Sequence, residues 1–199
     1  MGVGAGLLVS AVLLTAHFVK RGPSAYRSLT VVRSFDSAQL PGVLTEPVPW
    51  SPNTADVPAR LKAMGLPGSD GTTLHIHQHL DVFVDGNQVV VPAGIGIDPN
   101  GRFIAPIHTH DSSGVIHVES PVHRSYTLGE LFGVWGVRFT SRCLGAYCRG
   151  AGKVFEVFVD GRRVESNPTR LPLRAHDEIA VVVGERVAVP SAYAFPSGV

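Results

Sequence analysis

Apolar and polar positions change rhythm several times along this chain, and each rhythm predicts a different element. The 18 residues 2–19, GVGAGLLVSAVLLTAHFV, carry no charge before Lys20-Arg21. That length lies at the lower edge of what crosses a bilayer core of roughly 30 Å, so the segment reads as a single-pass transmembrane helix. A cleaved signal peptide and a buried N-terminal helix are the alternatives. From residue 22 to about 70 no period holds, and seven of the 15 prolines fall there, as in a linker or a surface-wrapping arm. Within it, Asp56, then VPARLKAM, then Gly65 predicts one short helix with Val57, Leu61 and Met64 on a common face.

From Leu74 the pattern becomes period two. Leu74, Ile76, Leu80, Val82 and Val84 alternate with His75, His77, His79, Asp81 and Phe83, which predicts a half-buried strand. Asp85-Gly86-Asn87 then turns the chain into Val89-Val90-Val91 as a hairpin. A second hairpin runs from Ile104 to His110, through residues 111–114, and back over Val115 to Ser120. Residues 127–136, TLGELFGVWG, predict a short helix opened by a Thr127/Glu130 capping box. A third hairpin follows at 154–164 around Asp160-Gly161, and the apolar run 179–183 reads as a buried strand. The tail from 185 has no period and is expected over the surface.

This order predicts an α+β fold, mostly β: a β-grasp-like roll of hairpins with one main helix. A small β-sandwich or barrel is the alternative. The expected division is a membrane anchor or signal segment at 1–21, a Pro-rich linker at 22–55 and a β-rich domain at 56–199.

Charge and cysteine content narrow the setting. The 17 Lys and Arg against 16 Asp and Glu leave a net +1, which offers no basic surplus for a phosphate backbone and argues against a nucleic-acid partner. A mean hydropathy of +0.18 traces largely to the N-terminal segment. Cys143 and Cys148 stand in CLGAYC, a spacing unlike a zinc knuckle or a thioredoxin motif. A short disulfide loop fits it, which persists outside the reducing cytosol; two free buried thiols are the other reading. Lys20, Arg21, Arg27 and Arg33, just past the apolar segment, favour the cytoplasm for the rest of the chain. The cysteine pair argues the reverse and carries more weight. The domain is therefore expected on the extracytoplasmic side of the cell membrane, with secretion as the alternative.

Histidine supplies the chemistry. Seven of nine His lie between residues 75 and 123. Residues two apart on a strand share a face, so His75, His77 and His79 project together. If residues 111–114 close the second hairpin, His108 stands opposite His117, with Cβ atoms roughly 5 Å apart, and His110 and Glu119 flank the pair. Imidazoles on rigid opposed strands are what a zinc or copper site requires. The candidate ligands are His75, His77, His79, His108, His110 and His117. Glu119 is a fourth ligand, a hydrogen-bond acceptor for an imidazole, or a base acting on metal-bound water. A solvated polar strand face is the plainer alternative. His123 is expected in solvent and His176 in a structural role. No nucleophile elbow or phosphate loop occurs around Ser112, Ser113 or Gly94-Ile95-Gly96.

The motifs IHTHDSSGVIHVESP, HLDVFVDG, VPAGIGI and YTLGELFGVWG resemble, over roughly residues 55–198, a family of membrane-anchored extracytoplasmic bacterial proteins without a settled activity. The resemblance implies an anchor and one coherent domain, and supplies no reaction. His-x-His near a Glu is also similar to cupins and zinc carbonic anhydrases, although the interval from His110 to Glu119 is longer than in cupins. The leading expectation is an anchored protein that binds zinc or copper for handling or delivery. The alternatives are a metal-dependent hydrolase or hydratase using metal-activated water, and a β-grasp interaction module without metal.

Overall fold

The alternating stretch from Leu74 forms the longest strand of the computed structural model, which describes Met1 and residues 37–199. The apolar N-terminal segment and its transmembrane reading lie outside the described residues. Among the described residues, no helix is long and apolar enough to cross a membrane. The described residues 37–199 belong to one compact unit.

In chain order the elements are α1 (Val57–Met64), β1 (Leu74–Val84), β2 (Asn87–Val89), β3 (Ile107–His108), β4 (Val115–Ser120), α2 (Leu128–Trp135), β5 (Cys143–Leu144), β6 (Tyr147–Cys148), β7 (Val154–Val159), β8 (Arg162–Arg163) and β9 (Glu178–Gly184). The fold is α+β and mostly β, with an open mixed sheet in the order β3-β4-β1-β9-β7-β8. It is not closed into a barrel. Both short helices expected from the sequence are present among the described residues, each eight residues long. Strand β2 pairs with the last residues of β1, beyond the stretch that β4 occupies.

Local chemistry explains the hairpins. Asp85 and Gly86 adopt φ of 45° and 84°, and Asp160 and Gly161 adopt 50° and 72°. Two consecutive positive φ angles give a turn whose twist matches that of the strands it joins. Strand β9 is buried along its whole length because it lies between β1 and β7, parallel to the first and antiparallel to the second. Cys143 and Cys148 face each other across the β5–β6 ribbon and form the disulfide.

Helix α2 begins with the expected capping box: Glu130 N donates to Thr127 Oγ1 at 3.2 Å, and Thr127 N donates to Glu130 Oε2 at 2.9 Å. Every residue of α2 is buried, so it is covered on all sides. Part of that cover is the Pro-rich arm. Trp50 meets Trp135 edge to face at 5.9 Å, Trp135 Nε1 donates to Ser51 O, and Leu44 N donates to Gly136 O. The described part of the arm, 37–55, is therefore built into the domain instead of leading up to it.

Glycine inside α2 reflects close approach. A Cβ at Gly129 would lie 2.5 Å from Thr169 O, a backbone atom that cannot swing aside. Alanine is favoured over glycine in helices by about 1 kcal/mol, yet Gly129→Ala is expected to lower the urea midpoint of unfolding because overpacking outweighs propensity. An unchanged or higher midpoint would contradict this contact.

Candidate metal centre

Three adjacent strands carry the histidines into one row. The β1–β4 register sets His77 opposite His117, and the β3–β4 register sets His117 opposite His108. His75 pairs with Glu119 one step along. His117 is thus flanked on both sides, its ring 4.5 Å from that of His77 and 5.4 Å from that of His108. His110, just beyond β3, turns back until its ring lies 4.5 Å from His117.

The ring nitrogens converge. His75 Nε2 lies 3.1 Å from His77 Nε2, and His108 Nε2 lies 3.2 Å from His110 Nε2. Glu119 Oε1 is 3.3 Å from His75 Nε2, 3.3 Å from His117 Nδ1 and 3.9 Å from His108 Nε2. Adjacent donors of a tetrahedral ion with bonds of 2.0–2.1 Å stand about 3.3 Å apart, so these separations match edges of such a site. His117 Nδ1 is buried and makes no hydrogen bond. Two donor sets emerge, His75-His77-His117-Glu119 and His108-His110-His117-Glu119, each with its ligand atoms within 4.8 Å of one another.

The surroundings disfavour the charged form of His77, His108 and His117. Burial first, and then the neighbouring His117 and His75, push the His77 pKa down from 6.5 to about 4, against the pull of Glu119. Burial likewise lowers His108, and burial together with His110 and His108 lowers His117. His108 Nδ1 donates to Ala105 O at 2.9 Å, and because a carbonyl only accepts, the proton sits on Nδ1 and the Nε2 lone pair faces the cluster.

His79 shares the strand face but not the cluster. Its Nδ1 lies 2.8 Å from Glu178 Oε2, its Nε2 lies 2.8 Å from Ser113 O, and Tyr193 of the tail stacks on its ring at 3.8 Å. Both nitrogens meet acceptors, so both carry protons. Burial opposes that charge, but hydrogen bonding and attraction to Glu178 outweigh it and raise the pKa. His79, Asp81 and Glu178 make a separate buried donor group. Alternation alone places Asp81 beside His79, whereas Glu178 arrives only through the parallel pairing of β9 with β1. Elsewhere, His123 is exposed, and His176 stacks on Phe195 with its Nε2 3.2 Å from Val199 O.

The titration of these groups gives stability a pH dependence of definite sign. His77, His108 and His117 bind protons less readily folded than unfolded, so the unfolded chain takes up more of them as pH falls below 6.5. The metal-free fold loses stability from there down to about 4. His79 runs oppositely: its contribution is full below the unfolded pKa and is lost as pH rises through the raised folded value. Urea midpoints measured from about pH 7 to 4.5 are expected to fall on acidification, and less steeply in His77→Gln. An equally steep variant would count against the depressed His77 pKa.

Chemically, the arrangement offers imidazole nitrogen donors, one carboxylate and a solvent-facing side at the exposed His75 and His110. Comparison with protein-family models, with curated proteins and with solved structures finds no match to this chain.

Proposed function

We propose that this chain is a membrane-anchored extracytoplasmic protein that binds zinc or copper through its strand histidines, for handling or delivering the ion. The observation that carries the reading is the convergence of five imidazoles and Glu119 across β1, β4 and β3. The donors are nitrogen and oxygen, and both cysteines are tied up in the disulfide. That set suits zinc or cupric ion better than cuprous ion, which favours sulfur. The disulfide and the apolar residues 2–19 support the extracytoplasmic, anchored placement. The histidine motif supports membership of the anchored bacterial family it resembles. A parallel last strand beside the first, with antiparallel partners outside both, supports a β-grasp-like roll.

Hydrolysis or hydration is the second reading, favoured by the solvent-facing side of the cluster. There the metal would supply activated water, and Glu119 would accept the proton. Elemental analysis of the full-length chain, purified without a histidine tag, is expected to find zinc or copper at stoichiometric level. Protein free of metal that also takes up neither ion in titration would overturn both metal readings and leave a β-grasp interaction module. With metal bound, an open coordination position in the cobalt spectrum would favour catalysis, and a closed one handling.

A further inference from the structure

The cluster holds more donors than one ion uses. A tetrahedral zinc takes four ligands, whereas five imidazoles and a carboxylate converge here. They divide naturally. His75 and His77 on β1 form one close pair at 3.1 Å, and His108 and His110 form another at 3.2 Å. Between the pairs stand the two residues that belong to both donor sets, His117 and Glu119. Glu119 Oε1 faces each pair at once, 3.3 Å from His75 Nε2 and 3.9 Å from His108 Nε2. His117 sits midway, its ring 4.5 Å from His77 and 4.5 Å from His110.

Electrostatics is compatible with the same division. Facing imidazole nitrogens at these separations repel unless a proton or a cation lies between them. A cation in each pair satisfies the lone pairs, and a carboxylate between two cations offsets their repulsion. Two-metal centres place their ions roughly 3.5–4 Å apart, a separation that one carboxylate spans.

Resting on the metal-binding reading, we propose that the site is a two-ion centre. One cation is held by His75 and His77, the other by His108 and His110, with the Glu119 carboxylate shared between them and His117 placed to complete either set. The ions are divalent and of the zinc, copper or cobalt type. The side open to solvent at His75 and His110 leaves room for a water or an oxyanion across both.

Zinc titrated into the metal-stripped full-length chain is expected to saturate at two ions per chain. The double variants His75→Ala/His77→Ala and His108→Ala/His110→Ala are each expected to keep one. Glu119→Gln, similar in shape but uncharged, should weaken the second ion at least about tenfold while thermal melting stays cooperative. With cobalt as the probe, electron paramagnetic resonance should show exchange coupling in the wild type and none in either double variant. Wild-type saturation at one ion overturns the proposal while leaving metal binding intact. So does uptake of two uncoupled ions, or two ions retained in both double variants, which would place them elsewhere. Failure to take up either metal overturns the metal-binding reading itself. The wild-type stoichiometry and coupling decide the matter even if a double variant does not fold.

Discussion

His117→Ala is expected to leave the chain without metal after dialysis and to lower its affinity for zinc by more than about a hundredfold. Loss of a partner one shell away from a metal typically costs about 10–100-fold, and His117 is more central than that. It belongs to both donor sets, it lies opposite His77 and His108 in the strand registers, and its buried Nδ1 makes no hydrogen bond. No neighbour can replace it, because His77, His108 and His110 already point to the same space from their own strands. His79→Gln is the informative contrast. The His79 nitrogens are engaged by Glu178 and the carbonyl of Ser113, so this variant should bind metal as before while losing stability. Titration calorimetry with elemental analysis distinguishes the outcomes. Metal kept in His117→Ala but lost in His79→Gln would move the site to the His79-Asp81-Glu178 group.

Arg60→Met is expected to cost about 3 kcal/mol or more of folding stability, without touching the histidines. Arg60 is fully buried, and its guanidinium donates to three carbonyls: Pro41 O, Asn53 O and Val134 O. One of these lies in the last turn of α2, where a cation also meets the negative end of the helix. The other two lie in the arm that covers that helix. Methionine retains the apolar stem and removes every donor, stranding carbonyls that each cost about 1–3 kcal/mol when buried unpaired. Burial disfavours the charge of Arg60 and Asp56 supports it, so part of the loss is returned when the charge is removed. Domains of this size are stable by only about 5–15 kcal/mol, so the urea midpoint should fall visibly. A midpoint like that of the wild type would show that the arm holds without Arg60.

Much of the site is legible in the sequence because its parts are local. Alternation from Leu74 sets His75, His77 and His79 on one face, and the 111–114 turn sets His108 opposite His117, as the structure has them. The Asp-Gly turns, the Thr127 capping box and the CLGAYC loop are equally local, each decided by backbone sterics or by a hydrogen bond a few residues away. The sequence by itself therefore determined a mostly β fold, its hairpins and two histidine-bearing faces.

Only the tertiary structure decided which faces meet. That β4 lies beside β1 brings His75 and His77 to His117, and that β9 enters parallel on the other edge of β1 brings Glu178 to His79 and takes that ring out of the cluster. Arg60 and Gly129 carry no signal of their own in the sequence pattern. The first is buried by an arm 19 residues away in sequence, and the second makes room for a carbonyl 40 residues on. Pairing between non-consecutive strands, and packing of an arm on a helix, depend on burying distant surfaces together. Periodicity describes one element at a time, so it showed which side chains share a face and left open what that face would meet.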